Sequence, residues 1–384
     1  MNTEQKRQRF HQRIISVLRP IAGPILKRIY AFRTEKRKSI DGPFLLLANH
    51  VTAVDPLLVC LSIKQQMYIV GSEHLMQKGF GSWLLRVFFA PIVRRKGDSA
   101  VTTVKQMLGT LKAGFNVCVF PEGTCSYDGT NTPFLPTIGK VARTARSSLV
   151  TYRFEGGYFT LPRWGTGIRR GDFYGHVVRV YTPDELRTMT DAEINAHIRE
   201  DLEENAYARI EQRPASYKSR HRAEYLESAF CLCPACRGVG TLFTKGDTIR
   251  CACGMNAKLD EHYRLSGMPV QTLIEWDALQ KDWLKAAAQD PAFGFADERV
   301  TLLRSDAQHR KTVLETGRME MGSESLRIGS HVFPLSEIVD MELVRRNRLV
   351  FSTHDAYYQA IGADTLNTRK YMLLYRIRKG MDTL

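Results

Sequence analysis

Apolar and polar positions follow two rhythms along the 384-residue chain. In residues 43–182, short apolar runs alternate with stretches of helical periodicity, which is typical of an α/β sheet with flanking helices. Thr190 and Glu193 form a capping box, and the apolar residues that follow predict one helix as far as Ile210. Strands are predicted at residues 44–48, 67–70, 92–94, 117–120, 149–154 and 176–180, and helices at residues 56–63 and 99–111.

The pattern changes in the second half of the chain. Trp276, Leu279 and Trp283 recur at helical spacing and predict one helix, whereas residues after position 299 alternate as in β-strands. The Gly329-Ser330 pair lies between two such runs and predicts a hairpin turn. This β-rich end resembles a pleckstrin-homology-like domain on hairpin spacing alone.

Length and composition restrict the class of protein. Hydrophobic residues make up 43% and charged residues 25% of the chain, which excludes a disordered, collagenous or coiled-coil protein. A single core stops growing at roughly 250–300 residues, so we expect several folding units. The expected divisions are an N-terminal segment 1–40, an α/β domain 41–212, a linker 213–227, a cysteine-rich module 228–262 and a helix plus β-rich domain 263–384.

The net charge of +15 is concentrated at one end. Residues 1–40 hold 11 Lys and Arg against Glu4 and Glu35, and so contribute +9. A basic end on a near-neutral body indicates a surface anchor rather than a uniformly basic nucleic-acid-binding protein. We therefore expect an anionic membrane surface as a partner, and no nucleic acid.

The same segment is amphipathic. Its apolar residues recur close to helical spacing between the cations, which favours a helix that lies flat on a membrane. These residues are Ile14, Leu18, Ile21, Ile25 and Ile29. The alternative is a pair of short helices that pack on the body and are kinked at Pro20 and Pro24.

Hydropathy makes two further predictions about membranes. No stretch provides the ~20 consecutive apolar residues of a spanning helix, and the basic start of the chain lacks the apolar core of a signal peptide. We therefore expect a peripheral protein at the cytoplasmic face of the cell membrane.

His50 and Asp55 follow the first predicted buried strand. Five residues turn a helix by about 500°, so the chain must bend for the two side chains to meet. Asp55-Pro56 supplies the bend if Asp55 is the N-cap of the next helix and Pro56 its first residue. A carboxylate on one imidazole nitrogen leaves the other free to take a proton near neutral pH. The alternative is a helix cap beside a surface histidine.

A second polar group follows another predicted strand. Phe120-Pro121-Glu122-Gly123-Thr124 presents a carboxylate, a flexible glycine and a hydroxyl group at the carboxyl end of the strand 117–120. Open α/β sheets bind ligands at this edge. The alternative is a simple turn, because Pro and Gly are common turn residues.

Five of the eight cysteines crowd into 23 residues, which indicates a metal site. Two pairs, Cys233 with Cys236 and Cys251 with Cys253, flank a predicted hairpin, and four thiolates suit a structural, tetrahedral zinc. Cys231 is a fifth thiol within reach, so the sequence leaves open which four bind the metal.

The order and spacing of these motifs resemble the glycerolipid acyltransferase superfamily, and bacterial 1-acylglycerol-3-phosphate acyltransferases in particular. The resemblance rests on Asn49-His50 with Asp55, on Phe120–Thr124, and on the block Ala90–Arg95 between them. It covers residues 40–212 and implies the fold of that family. The motif around Gly156-Gly157-Tyr158 is similar to a subgroup that carries a zinc ribbon.

The resemblance implies a role for each motif. His50 is the expected general base and Asp55 its orienting partner. Arg94 or its neighbour Arg95 is expected to hold the acceptor phosphate. Glu122, Gly123 and Thr124 are expected to bind and orient the acceptor.

The implied reaction transfers a fatty acyl group from acyl-CoA or acyl-ACP to the hydroxyl of a lysophospholipid such as 1-acylglycerol-3-phosphate. The chain lacks a Gly-x-Ser-x-Gly nucleophile elbow and a Walker phosphate loop. One departure weakens phosphate recognition: the family usually has Arg where this chain has Cys125, and a thiol cannot replace a guanidinium group. Alternatives are acylation of another membrane lipid, or a non-catalytic zinc-ribbon protein that binds membranes or nucleic acid.

Overall fold

A computed structural model describes residues 3–35, 39–72, 92–94, 100–134, 136–306, 310–354 and 356–381. The chain forms two compact units. The first unit comprises Met1–Pro162 and Ile168–Tyr217, and the second comprises Arg163–Gly167 and Lys218–Leu384.

The first unit is built around a seven-stranded mixed sheet, as the α/β pattern predicts. Its order is β1-β7-β6-β2-β5-β3-β4, and all neighbouring strands are parallel except β6 and β7. The strands are β1 (Phe32–Thr34), β2 (Phe44–Ala48), β3 (Met67–Ser72), β4 (Ile92–Arg94), β5 (Asn116–Val119), β6 (Ser148–Glu155) and β7 (Phe173–Tyr181). All six predicted strands are confirmed, and β1 was not predicted.

The described helices of this unit cover both faces of the sheet. They are α1 (Thr3–Tyr30), α2 (Asp55–Ser62), α3 (Ala100–Lys112), α4 (Thr137–Thr144), α5 (Gly157–Thr160), α6 (Pro183–Thr188), α7 (Asp191–Leu202) and α8 (Ala206–Gln212). Side chains of α1 and α2 pack on one face, and side chains of α3, α4, α6 and α7 pack on the other. Strand β2 is apolar at every position because both of its faces are covered.

Two expectations and one alternative about helices are corrected. The helix predicted from residue 190 to Ile210 ends at Leu202, and Asn205 caps a new helix through the amides of Tyr207 and Ala208. Asp55 is the first residue of α2 rather than its N-cap, which is Val54. The N-terminal region forms one helix of 28 residues that continues through Pro20 and Pro24, rather than two short helices.

The second unit contains two antiparallel sheets. A four-stranded sheet has the order β11-β10-β9-β8, and a seven-stranded sheet has the order β15-β14-β13-β12-β18-β17-β16. The first sheet consists of β8 (Leu242–Lys245), β9 (Thr248–Cys251), β10 (Asn256–Leu259) and β11 (Leu265–Ser266). The second consists of β12 (Phe295–Ser305), β13 (Lys311–Met321), β14 (Ser325–Ile328), β15 (His331–Pro334), β16 (Asp340–Val344), β17 (Arg348–Ser352) and β18 (Tyr357–Ile361).

Two helices accompany these sheets. Helix α9 (Leu273–Ala287) was predicted, whereas α10 (Arg369–Arg378) was not. The two helices are joined by a buried ion pair, in which the Nη2 of Arg369 lies 2.9 Å from an oxygen of Asp277. Gly329 and Ser330 turn the predicted hairpin between β14 and β15. The resemblance of this region to a pleckstrin-homology-like domain stays a prediction, as do the expected domain boundaries.

Candidate active site

His50 lies two residues beyond the carboxyl end of β2, where the chain leaves the sheet. The residue before it, Asn49, is completely buried and forms a double hydrogen bond with the backbone of Phe154 in β6. Its amide nitrogen donates to the carbonyl of Phe154 at 2.8 Å, and its amide oxygen accepts from the amide of Phe154 at 2.7 Å. This pairing fixes the start of the loop that carries His50.

Asp55 orients the imidazole ring. One carboxylate oxygen lies 3.0 Å from Nδ1 of His50 and also accepts hydrogen bonds from the amides of Val51 and Thr52. The other oxygen accepts from the hydroxyl of Thr52. Asp55 is fully buried, whereas 16% of the His50 side chain is exposed. The carboxylate therefore stabilises the turn between residues 50 and 55 and orients the His50 ring with Nδ1 toward Asp55.

The second predicted motif forms a loop after β5. Gly123 has a φ of +68°, a left-handed conformation that favours glycine, and its amide donates to the carbonyl of Phe120. Glu122 is buried and points back toward the first loop, and Thr124 is half-buried. The glycine therefore serves a tight turn that directs Glu122 inward.

Backbone hydrogen bonds join the two loops at His50 itself. Its amide donates to a carboxylate oxygen of Glu122 at 3.1 Å, and its carbonyl accepts from the amide of Ser126 at 3.0 Å. The two motifs, 72 positions apart in the sequence, thus form one site at the carboxyl edge of adjacent parallel strands β2 and β5.

Three hydrogen-bond donors contact the carboxylate of Glu122. Besides the His50 amide, the side-chain nitrogen of Asn131 and the amide of Thr132 each donate to it at 2.8 Å. Burial raises the pKa of Glu122 to about 7, although these hydrogen bonds act in the opposite direction. The residue is therefore poised to change its protonation state near neutral pH.

The His50 ring lies between Phe120 and Cys125. The ring centroids of His50 and Phe120 are 4.6 Å apart, and Sγ of Cys125 is 3.5 Å from Nε2 and 3.7 Å from Nδ1 of His50. Burial lowers the pKa of His50, but the electrostatic interaction with Cys125 and the hydrogen bond to Asp55 raise it by more. The pKa of His50 consequently lies well above its usual range.

One of the two predicted phosphate ligands, Arg94, lies at the same edge of the sheet. Arg94 ends β4, which pairs in parallel with β3, and β3 pairs in parallel with β5. The backbone of Arg94 is therefore two strands away from the Glu122 loop. Arg95, the other candidate, lies outside the described residues.

The four predicted metal ligands of the second unit come together. The Sγ atoms of Cys233, Cys236, Cys251 and Cys253 all lie within 4.8 Å of one another. Cys233 and Cys253 are 4.0 Å apart, and Cys236 and Cys251 are 3.8 Å apart. Tetrahedral zinc with bonds of about 2.3 Å to sulfur separates its ligands by about 3.8 Å, so the cluster fits such an ion.

Cys231, the fifth thiol, makes different contacts. It is buried, and both its amide and its Sγ contact the side-chain oxygen of Gln280 in α9, at 3.0 and 3.7 Å. This places Cys231 in the packing between the cysteine-rich module and α9.

The sequence motifs did not indicate every residue of this site. Asn131 and Thr132 bind Glu122, and Asn131 also accepts a hydrogen bond from the amide of Glu204. An irregular loop separates Asn131 and Thr132 from the Phe120–Thr124 motif, so their position in the sequence did not indicate that they belong to the site. Cys125 was recognised only as the loss of an arginine, and its contact with His50 became visible only in three dimensions.

Comparison with known proteins agrees with this site. The Acyltransferase family model matches residues 28–155, which include both loops. Residues 28–155 are therefore similar to the Acyltransferase family, and this segment contains the sheet edge with His50, Asp55 and Glu122.

Individual relatives cover part of the chain. It is 26% identical over 117 residues to 1-acyl-sn-glycerol-3-phosphate acyltransferase alpha of Homo sapiens, which is 28% of this chain and 41% of the relative. The Bos taurus protein of the same name matches equally over 40% of its length. The chain thus spans about two-fifths of these curated relatives.

A solved structure also matches. The crystal structure of the 1-acyl-sn-glycerophosphate (LPA) acyltransferase PlsC from Thermotoga maritima aligns with 52% of this chain and 76% of its own, at 18% identity and a TM-score of 0.40.

Proposed function

We propose that the protein transfers a fatty acyl group from an acyl thioester, acyl-CoA or acyl-ACP, to the hydroxyl of a lysophospholipid, with 1-acylglycerol-3-phosphate as the acceptor. The observation that carries this proposal is the joined site: His50, oriented by Asp55, is hydrogen-bonded through its own backbone to the Glu122 loop. An oriented imidazole at a sheet edge, with a polar loop beside it, suits proton removal from a bound hydroxyl.

His50 acts as the general base in this proposal. It takes the proton of the acceptor hydroxyl, whose oxygen forms an ester bond with the thioester carbonyl carbon while the carbon–sulfur bond breaks. The proton then passes from His50 to the departing thiolate. Asp55 stays hydrogen-bonded to Nδ1 of His50 and stabilises the imidazolium that forms between the two proton transfers.

The remaining predicted residues position the acceptor. Glu122, Gly123 and Thr124 line the loop beside His50, and Arg94 or Arg95 supplies the positive charge for a phosphate. Because Cys125 occupies the position of the family's usual arginine, a second acceptor class is O-acylation of a membrane lipid without that phosphate.

Helix α1 supports action at a membrane surface. One face of it packs on the first unit, where Leu26 and Tyr30 lie against the core and Gly23 faces Leu61. The other face leaves large apolar side chains 43–63% exposed. They are Phe10, Val17, Ile21, Ile25 and Ile29. None of the helices in the described part of the chain combines the length and apolar character that crossing a bilayer requires.

The cysteine cluster is proposed to hold a structural zinc through Cys233, Cys236, Cys251 and Cys253. Four thiolates leave no open position for catalysis, so the ion would tie the ends of the β8–β9 hairpin region together.

The experiment that tests the function is product identification. Purified protein is incubated with a labelled acyl thioester and a panel of lysolipids with and without a phosphate monoester, and products are identified by mass spectrometry. We expect acylation of 1-acylglycerol-3-phosphate. Acylation of only the other lipids would overturn the acceptor assignment, and consumption of no thioester would favour a non-catalytic scaffold.

Replacement of the base provides the matched test. His50→Ala is expected to reduce acyl transfer by a factor on the order of 10² to 10⁴ and to keep the fold, since both bonds to the Glu122 loop use the backbone of residue 50. His197→Ala, on α7 of the same unit, is the control and should keep its activity. Wild-type activity in a folded His50→Ala protein would exclude the proposed base.

A further inference from the structure

The Gly156-Gly157-Tyr158 motif lies beside both loops of the candidate active site, although it has no part in the proposed chemistry. Gly156 directly follows β6, and Gly157 and Tyr158 begin the short helix α5. These three residues, named here the Gly-Gly-Tyr turn, are all buried. An effect of the turn on the reaction therefore has to act through the residues that it contacts.

The first contact of the turn is with the loop that carries His50. A Cβ atom added to Gly157 would lie 2.7 Å from Cγ2 of Val51 and 2.5 Å from the ring of Phe173. Val51 is buried, and its amide donates to the carboxylate of Asp55 at 2.7 Å. Because Gly157 has no side chain, Val51 can lie where its amide reaches the carboxylate that orients His50.

The second contact is with the loop after β5. The hydroxyl of Tyr158 donates to the carbonyl of Tyr127 at 2.7 Å, and a Cβ atom added to Gly129 would lie 3.1 Å from the Tyr158 ring. The amide of Gly129 donates to the hydroxyl of Ser126 at 2.9 Å, and the amide of Ser126 donates to the carbonyl of His50. Tyr158 thus supports the segment that hydrogen-bonds to His50.

The third contact is made by Glu204, which lies between α7 and α8 and is only 8% exposed. Its carboxylate accepts from the amide of Gly156 at 2.8 Å, and its own amide donates to the side-chain oxygen of Asn131 at 2.6 Å. The side-chain nitrogen of Asn131 donates to Glu122 at 2.8 Å. Glu204 therefore connects the Gly-Gly-Tyr turn to the carboxylate that contacts the His50 amide.

We propose that Gly157, Tyr158 and Glu204 are positioning residues that fix the imidazole of His50 relative to the Glu122 loop. This inference rests on the proposed function and deepens it. The turn contacts both loops, so a change in the turn shifts one loop against the other. A general base has to lie within hydrogen-bond reach of the hydroxyl, and a misplacement of about 1 Å can cost about 100-fold in rate.

Gly157→Ala tests the contact with the His50 loop. The added methyl group has to displace Val51 or Phe173, so kcat should fall by about 100-fold with little change in KM. Gly109→Ala on α3 is the control, because a Cβ atom added there meets no atom within 4 Å. This control should keep the activity of the wild type. Wild-type kcat in Gly157→Ala would overturn the role of Gly157.

Tyr158→Phe is the milder test, because it keeps the buried ring and removes only the hydroxyl. We expect kcat to fall by roughly 10-fold in a protein that still unfolds cooperatively. Tyr181→Phe is the matched control: Tyr181 also donates a buried hydrogen bond, to Asp201 at 2.8 Å, but it pairs with Leu149 at the opposite edge of the sheet. It should lose stability and keep kcat. Equal losses of kcat in both variants would indicate general destabilisation and contradict positioning.

Glu204 is tested by loss and rescue. Glu204→Ala removes the acceptor for the Gly156 amide and should lower kcat by roughly 10-fold. Glu204→Gln retains an acceptor oxygen, so it should restore most of that loss. An equal loss of kcat in Glu204→Gln and Glu204→Ala would show that the hydrogen bond to Gly156 does not position the site.

The titration of His50 provides a measurement that does not depend on turnover. NMR of ¹³C-labelled histidine follows it, and His50→Ala identifies its signal. The groups that face the ring are Asp55, Cys125 and Glu122, and its pKa lies well above the usual range. In Gly157→Ala, displacement from Asp55 should bring this pKa closer to the usual range.

The two proposals fail in different ways. Consumption of no thioester by the wild type contradicts the proposed function, whereas the His50 titration still tests the positions of the loops. An unchanged pKa of His50 in folded Gly157→Ala contradicts positioning, whatever reaction the wild type catalyses.

Discussion

Asn49 shows how a residue with no proposed part in the chemistry can fix the position of a candidate catalytic residue. It precedes His50 and uses both ends of its amide on the backbone of Phe154, which lies 105 positions later. The Asn49 side chain therefore connects β2 to β6 at the point where the loop that carries His50 begins. An amide is required because this backbone presents both a donor and an acceptor.

Asn49→Ala is predicted to destabilise the fold and impair catalysis together. The substitution leaves a buried amide and a buried carbonyl of Phe154 without their partners, at a cost of about 2–4 kcal/mol in the free energy of unfolding. Chemical denaturation measures this loss. Because the proposed role of Asn49 is to position His50, kcat should fall much more than KM changes.

Asn49→Asp is the matched control. A carboxylate still accepts from the Phe154 amide, but it cannot donate to the Phe154 carbonyl and it brings a buried charge, so a loss of stability at least as large as in Asn49→Ala is expected. Equal stability of wild type and Asn49→Ala would show that the amide contributes nothing to the loop.

At the scale of secondary structure, the buried strands were predictable and the helix breaks were not. Strand β2 is apolar throughout because helices cover both of its faces, a pattern visible in the sequence. The break between α7 and α8 depends on Asn205, whose side chain caps the new helix, and on its bridge to Thr130. The apolar spacing continues unchanged across that break, so periodicity alone could not reveal it.

The cysteine-rich hairpin gives a prediction about metal content. Cys253→Ser should abolish zinc binding, because one of four clustered thiolates is lost, and should lower the thermal stability of the second unit. Elemental analysis of the purified variant measures the first effect, and a thermal melt measures the second. The wild-type protein is expected to contain one zinc ion.

Cys231→Ser is the control for this element. Its thiol contacts Gln280 rather than the four-cysteine cluster, so the variant should retain its zinc. Loss of zinc from Cys231→Ser, together with retention of zinc in Cys253→Ser, would show that Cys231 and not Cys253 is the fourth zinc ligand.

For the whole molecule, charge and exposed apolar surface coincide at the N-terminal helix. Residues 1–40 contribute +9 of the net charge of +15. On the face that does not pack against the core, helix α1 exposes the apolar side chains of Phe10, Val17, Ile21, Ile25 and Ile29. Ile21→Glu together with Ile25→Glu should weaken binding to vesicles that contain anionic phospholipid by roughly 3 kcal/mol, about 100-fold in partitioning. Vesicle flotation measures this binding.

A control and a change of salt complete the membrane test. Val101→Glu replaces an equally exposed apolar residue on α3 and should leave vesicle binding unchanged. Higher salt should weaken binding of the wild type, because screening reduces the attraction between the basic segment and the anionic surface. Binding by the double variant at the wild-type level would refute a role for the stripe.

The sequence revealed the two motifs of the candidate active site but not how they are connected. His50, Asp55 and Glu122 were identified from motif and spacing, whereas the bonds that unite them involve backbone atoms and Ser126. Those bonds depend on which strands lie side by side, and a single sequence does not encode strand order in any local pattern. The same limit applies to Cys125, which acquires a partner only when the loops meet.

The attachment of residue 50 through its own main chain has a practical consequence. Replacing its imidazole leaves the hydrogen bonds on either side intact, so a His50 variant that lacks the proposed acyl transfer should keep the native arrangement of the two loops. Such an inactive variant is suited to crystallography with both reactants bound, since they can enter the site without reacting.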